Sequence, residues 1–367
     1  MNPTVVTALD LPFPSPGGSV ELFLDLYTGR IPLLPARSFM LAPEHRGLRP
    51  SVPAGLELVQ APGKCLTGYA FRRYVATLQR ALTEAVDPGD VGVLHLQHLA
   101  FGATPALLQA FPKRPRIALV HGTDLLFAET HPEQLATLRE AARAADVVVV
   151  PTGAMADRLL LLAPDTRRRK IEKIPWGIPD RLITSPPPRR RNQPSSHLRI
   201  LYAGRLTPEK GFDTLLTALP LTRSTELSIA APRAEFHALH PRLHQLGVHV
   251  HYLGWLRRPQ LWKTFADHDV LVMPSTTLEA MGLVALEAQA CGLPVLHQPV
   301  PGLTESLGSS ALATDFADPH AVARELDRLH TGPGLLPALR AAGATNAARF
   351  PLSTTATALA ELGKRLA

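Results

Sequence analysis

Apolar positions along the chain fall into two alternating series, with one break between them. In the first series, short runs rich in Val, Leu and Ile predict strands at Val5–Leu9, Ser38–Ala42, Leu56–Gln60, Val91–Leu96, Arg116–His121, Asp146–Val150 and Ile171–Pro175. Helical spacing lies between them, from Ser19 as N-cap through Val20, Phe23, Leu24 and Tyr27, then over Leu66–Ala85 and Pro132–Ala145. The stretch Arg181–His197 carries no apolar period. It holds Pro186-Pro187-Pro188, an arginine triplet and Pro194-Ser195-Ser196, and reads as a linker. The second series predicts strands at Leu198–Ala203, Glu226–Ala230, Val248–Leu253, Val270–Met273 and Pro294–His297. Its helices fall at Phe212–Leu219, Asp318–His330, Pro337–Ala348 and Thr354–Leu366. Alternation of this kind predicts parallel sheets covered on both faces, in an N-terminal domain over 1–180, a linker over 181–197 and a C-terminal domain over 198–350.

Composition changes this picture little. A chain of 367 residues, 46% hydrophobic and 19% charged, can bury two cores. The net charge of +7 would point to nucleic acid or anionic membranes, but its placement does not. Seven basic residues sit at 167–170 and 189–191, and without them basic and acidic residues balance at 31 each. No nucleic-acid partner is therefore expected. Two cysteines, Cys65 and Cys291, exclude a disulfide framework. No signal peptide and no apolar run of membrane-spanning length is visible, so a cytoplasmic chain without stable membrane insertion is expected.

Candidate chemistry gathers in the second series. From Pro274 to Val295 two carboxylates, Glu279 and Glu287, stand in an otherwise apolar run. Buried carboxylates are costly without partners. A helix starting near Gly282 would offer unsatisfied N–H groups at Met281, Gly282, Leu283 and Val284, and is stopped by Gly292 and Pro294. Donors for an anion, flanked by carboxylates that accept from hydroxyls, suit a sugar joined to a phosphate. Upstream, Gly204-Arg205-Leu206 to Lys210-Gly211 joins a strand to a helix and places two cations at a strand's carboxyl end. Taken alone, it reads first as a surface turn with two solvated cations. In the first series, Gly17-Gly18 follows the first strand, as in a Rossmann-like half, without the full dinucleotide fingerprint.

Together these motifs resemble the family 4 glycosyltransferases, retaining enzymes of the GT-B fold. The residues that carry the resemblance are Gly204-Arg205-Leu206, Lys210-Gly211, Gly254-Trp255-Leu256, Asp269 to Ser275, Glu279 with Glu287, Ala290 to Val295, and Gly302 with Glu305. His121-Gly122-Thr123-Asp124 and Ile174 to Ile178 extend it into the first half. The departures are Pro301 before Gly302, Trp176 and Pro179 near the end of the first half, and Ile229-Ala-Ala-Pro-Arg233 in place of a glycine-rich turn.

The resemblance implies two Rossmann-like parallel-sheet domains facing across a cleft, with the helix in 351–367 crossing back to the first. It implies that Arg205 and Lys210 bind a nucleotide sugar's diphosphate. Glu287 would accept from the ribose, Glu279 would hold the sugar, and Met281–Val284 would meet sugar and phosphate. Trp255 and Leu256 would line the base, with Gly204 in the phosphate loop. Gly17, Gly18 and His121 would face the donor from the acceptor side, and His121, Arg205, Lys210 and Glu279 would form the catalytic set. The donor is expected to be a UDP-sugar, with GDP- and ADP-sugars as alternatives. No cofactor and no essential metal is expected.

The expected acceptor is a small polar molecule, such as an amino sugar, an aminocyclitol or another natural-product core in antibiotic biosynthesis. Glu21, Asp25, Asp124 and Glu129 would be its acidic contacts, and His98 lies at a strand end on that side, where substrate contact and packing remain open, as for His95. A lipid-linked or cell-envelope acceptor and a non-catalytic nucleotide-sugar-binding protein are the rival readings. Asp267-His268-Asp269 reads as a helix end entering a strand, not a metal motif. The histidines at 237, 240, 244, 249 and 251 read as a solvated face, with Pro241 breaking the helix.

Overall fold

The structure, a computed structural model, describes residues 4–43, 51–189, 196–222 and 224–366. The chain divides into two compact units: Met1–Trp176 with Leu352–Ala367, and Gly177–Pro351. Unit 1 runs β1 (Val5–Pro12), α1 (Gly18–Tyr27), β2 (Ala36–Leu41), β3 (Leu56–Val59), α2 (Gly68–Ala85), β4 (Val93–Gln97) and α3 (Ala103–Ala110). It continues through β5 (Arg116–Leu119), α4 (Thr123–Thr130), α5 (Pro132–Ala144), β6 (Val147–Val150), α6 (Gly153–Leu162) and β7 (Ile171–Lys173). Unit 2 runs α7 (Asp180–Thr184), β8 (Leu198–Ala203), α8 (Phe212–Ala218), β9 (Thr225–Ala230), α9 (Arg233–Gln245), β10 (Val250–Tyr252) and α10 (Arg258–Asp267). Then come β11 (Val270–Met273), α11 (Leu283–Ala290), β12 (Val295–His297), α12 (Pro301–Leu307), β13 (Leu312–Ala313), α13 (Pro319–Thr331) and α14 (Leu335–Ala347). The last helix, α15 (Leu352–Leu366), belongs to unit 1, where Thr355 donates to the Pro175 carbonyl at 2.8 Å.

Both sheets are parallel. Unit 1 has the order β3-β2-β1-β4-β5-β6-β7, and unit 2 the order β10-β9-β8-β11-β12-β13. Each order reverses beside its first strand, between β1 and β4 and between β8 and β11. At such switch points α/β sheets bind ligands, outside the strands' carboxyl ends. The sheets are covered on both faces, which is why their strands are continuous apolar runs: β4 and β11 are buried at every position. In unit 2 the core gathers Ile200, Tyr202, Phe212, Leu215, Leu227, Ile229, Val270, Val272, Leu296 and Phe316.

Three expectations are corrected. The stretch expected as linker starts with structure: Asp180–Thr184 is a helix of unit 2 with Leu182 buried, and the Arg189 guanidinium donates to the Gly292 and His268 carbonyls at 2.7 and 2.8 Å. Those carbonyls lie just beyond the C-terminal ends of α11 and α10, and Arg189 supplies their hydrogen-bond donors. Arg190, Arg191, Pro194 and Ser195 of the same stretch lie outside the described residues. Pro241 does not break its helix; α9 continues through it to Gln245. Ser19 is not an N-cap, because α1 begins at Gly18 with Gly17 as its N-cap. Elsewhere Asp318 caps α13 through His320 N at 2.9 Å, and Asp267-His268-Asp269 runs from α10 into β11.

Candidate active site

In unit 2, two loops leave the switch-point strands and meet. The loop after β8 carries Gly204, Arg205 and Lys210; the loop after β11 carries Glu279. The Lys210 ammonium forms an ion pair with Glu279 Oε1, which also accepts from the Ser275 hydroxyl at 2.7 Å. Burial pushes the Glu279 carboxyl up, but the Lys210 charge, both hydrogen bonds and the Arg205 charge overcome it and hold it below the usual range. Arg205 reaches Glu209 at 3.4 Å, while Glu209 also accepts from the Thr207 hydroxyl at 2.7 Å and its carbonyl takes Thr276 N at 3.0 Å.

The loops approach so closely that two glycines are needed. A Cβ on Gly211, whose φ is +64°, would stand 2.0 Å from the Pro274 carbonyl oxygen, and one on Gly302 would stand 1.6 Å from that of Glu279. Behind them α11 starts at Leu283 with Gly282 as its N-cap. The Gly282 carbonyl takes the N–H groups of Ala285 and Leu286 at 2.9 and 3.2 Å. The backbone N–H groups of Met281, Gly282, Leu283 and Val284 precede that first closed turn, a few residues after Glu279 in the chain. Of the residues named from the sequence, the fold brings Lys210 against Glu279 and places the Arg205 charge near the same carboxylate.

Glu287 lies one turn inside α11, where the sequence places it, with partners of its own. It is the fifth residue of α11 and 3% exposed. Its Oε1 accepts from the Arg258 guanidinium and its Oε2 from the Trp262 indole at 2.9 Å, both from α10. The Trp262 ring also carries the Arg181 guanidinium at 5.3 Å from its centroid. Glu287 is therefore a tied carboxylate, with one donor already on each oxygen. Arg258 and Trp262 were missed because only the tertiary contact of α10 with α11 connects them to it. Trp255 and Leu256 follow β10, and Trp255 is 43% exposed.

In unit 1 the expected residues also sit at strand ends: Gly17 and Gly18 after β1, His98 after β4, and His121 after β5. Gln97 Nε2 donates to the Thr7 and Tyr27 hydroxyls at 3.1 and 3.4 Å, so its Oε1 accepts, and His121 Nε2, 2.7 Å away, carries the proton. The His121 ring stacks on Trp176 with centroids 5.8 Å apart and meets His98 edge-on at 4.7 Å. His98 has φ +54°, and its buried Nε2 has no hydrogen-bond partner among the described residues. Burial holds His98 and His95 down to about 3, and His121 well below its usual value, so all three rings are neutral near pH 7.

Asp124 is corrected as an acidic acceptor contact. It is fully buried and accepts from Leu99 N at 2.9 Å and His121 N at 3.2 Å; burial raises its carboxyl to about 6. Its work is to brace the loops that carry His98 and His121. Glu129 is paired with Arg158. Lys64, which no motif marked, forms an ion pair with Asp10 at 3.5 Å and lies over the Phe101 ring at 5.9 Å. Among the described residues no group of three or more His, Cys, Asp or Glu side chains could hold a metal ion, and no helix is long and apolar enough to cross a membrane.

Residues 36–182 match the family described as Glycosyltransferase Family 4, and residues 188–348 match Glycosyl transferases group 1. A D-inositol 3-phosphate glycosyltransferase of Stackebrandtia nassauensis is 31% identical over 305 residues, covering 74% of this chain and 68% of that protein. D-inositol 3-phosphate glycosyltransferase 1 of Catenulispora acidiphila is 29% identical over 296 residues, covering 72% and 69%. Others of that name match over less; for that of Streptomyces bingchenggensis the match spans 41% of the relative's length. Among solved structures, sucrose-phosphate synthase from Thermosynechococcus elongatus has a TM-score of 0.79 at 18% identity, covering 99% of each chain. HepE of Anabaena, in complex with UDP and glucose, has 0.74 at 18%, covering 99% of this chain and 100% of that one. Together with the two Rossmann-like parallel sheets, these matches make this a glycosyltransferase of the GT-B fold. The chain belongs to the family 4 glycosyltransferases.

Proposed function

We propose that this glycosyltransferase moves a sugar from a UDP-sugar to a hydroxyl of a small polar acceptor, with retention of configuration and without an essential metal or other cofactor. The observation that carries the reading is the Lys210–Glu279 pair at the start of α11, assembled from the two loops at the unit 2 switch point. Lys210 and Arg205 bind the diphosphate and stabilise the charge that grows on it as the glycosidic bond breaks. Glu279, kept ionised, accepts from sugar hydroxyls. The N–H groups from Met281 to Val284 meet the sugar and a phosphate oxygen. Glu287 meets the ribose with the lone pairs that Arg258 and Trp262 leave to it, as a fixed acceptor. Trp255 and Leu256 line the base.

The departing phosphate oxygen takes the acceptor's proton on the face it leaves from, so configuration is retained without an enzymic nucleophile. On the acceptor side, His121 has a bare Nδ1 once its Nε2 proton is given to Gln97, which suits a sugar hydroxyl. Gly17 and Gly18 let backbone approach the ligand, and His98 contributes its unpartnered nitrogen to the acceptor. HepE's complexes with UDP and with UDP-glucose support a uridine donor. Relatives named for D-inositol 3-phosphate support a small polyol acceptor over a lipid.

The test is a thermal-shift panel of UDP-, GDP- and ADP-sugars, followed by acceptor screening with inositol phosphates, amino sugars and aminocyclitols. The expected result is stabilisation by a UDP-sugar, sugar transfer that survives EDTA, and a product whose anomeric configuration by NMR matches the donor's. UDP-sugar hydrolysis or transfer unchanged in Lys210→Ala would sink the reading.

A further inference from the structure

One peptide unit in the phosphate loop is held on both sides by side chains outside every motif. The carbonyl of Arg205 accepts from the Tyr202 hydroxyl, and the N–H of Leu206, the other end of the same peptide, donates to Glu235 Oε2 at 2.5 Å. Tyr202 is in β8, 3% exposed, with its ring edge-on to Phe212 at 4.6 Å. Glu235 is in the first turn of α9, where a carboxylate is favoured by the helix's positive end. A planar peptide pinned at C=O and N–H cannot turn about its two flanking bonds. Those bonds set the direction in which the Arg205 side chain leaves the loop. The side chain itself has little to hold it: it is 37% exposed and meets Glu209 at 3.4 Å.

We infer that Glu235 is a positioning residue for the donor's phosphates: with Tyr202 opposite, it fixes the Arg205–Leu206 peptide and so aims Arg205 at the diphosphate. α9 starts directly after Pro232, in the stretch that replaces a glycine-rich turn, and this is what carries Glu235 to the loop. The inference rests on the reading of Arg205 as a phosphate ligand.

The experiment is calorimetric binding of UDP to the full chain, with GDP and ADP in parallel, in single and double variants. Glu235→Ala is expected to weaken UDP about tenfold, the scale of one charge-assisted hydrogen bond, and Tyr202→Phe about threefold. Glu235→Gln keeps an acceptor oxygen and should stay within about twofold of wild type. In an Arg205→Ala background, Glu235→Ala should cost nothing further. A structural role alone would lower the melting temperature and give the same loss on both backgrounds, and that result overturns the inference. So does unchanged affinity in Glu235→Ala. If that variant fails to fold, Tyr202→Phe with and without Arg205→Ala decides by the same rule. Arg205→Ala with unchanged UDP affinity overturns the reading of Arg205 instead, and a wild type that takes up none of the three nucleotides overturns both.

Discussion

Glu279 and Glu287 stand eight residues apart in one apolar stretch, yet they are satisfied in different ways. Glu279 is paired with a lysine of the neighbouring loop that is 29% exposed, so its partner can turn to an arriving phosphate. Glu287 and Arg258 are 4% and 11% exposed, and neither can be released to water cheaply. Removing one charge from such a pair leaves the other buried and unpaired, at a cost of about 3–5 kcal/mol. Glu287→Gln should therefore lower the unfolding free energy by about 3 kcal/mol in urea titrations, besides weakening UDP. A variant of wild-type stability would show that Arg258 does not depend on this carboxylate. Both acids were legible in the sequence, because a carboxylate in an apolar run demands a reason. Their partners were not equally so. Lys210 lay in a motif, while Arg258 and Trp262 reach Glu287 only through the packing of α10 on α11. Asp124 misled for the same cause: a charge near a strand end reads as a contact until its own backbone partners are known.

At the scale of elements, strands and long helices could be read from periodicity, and short buried pieces could not. α3, α6 and α12 have 8, 10 and 7 residues, about two or three turns each, so no clean helical period marks them. β13 has 2 residues. α12 matters for the site all the same, since Gly302 in its first turn passes beneath the Glu279 carbonyl. The sequence showed a Pro-Gly pair there where two glycines are common, without showing what the glycine was for. Gly302→Ala would put a methyl group where the Glu279 carbonyl oxygen already is, so the 279–282 loop or α12 must move. The expected outcome is a loss of about 1–3 kcal/mol in stability and UDP binding weakened by at least about tenfold. Calorimetry and a urea titration on one preparation check both. Wild-type affinity would mean that the loop geometry around Glu279 is not what binds the nucleotide.

For the whole molecule, fold class was legible because the same alternation occurs twice, whereas the acceptor was not, because unit 1 gathers neutral, buried polar groups at its strand ends instead of a charged motif. That choice has a consequence for pH. His95, His98 and His121 are neutral in the folded chain down to low pH, while unfolded histidine takes a proton near pH 6.5. Their depressed folded values make stability fall as pH drops below about 6.5. Asp124 has the opposite sign: its folded value of about 6, against about 3.9 unfolded, gives stability at low pH that is lost as pH rises through 6. At pH 5 unfolding thus takes up three protons on the histidines and releases one from Asp124, a net of about two for these four groups. Stability should fall by about 2.7 kcal/mol per pH unit there from this set, and be nearly flat in its contribution above pH 7. His95→Gln removes one of the three and should about halve the slope, since the net falls from two protons to one. Urea titrations between pH 4.5 and 7.5 measure it. A flat profile in wild type, or a slope unchanged in His95→Gln, would show that these rings are charged inside the fold near pH 5.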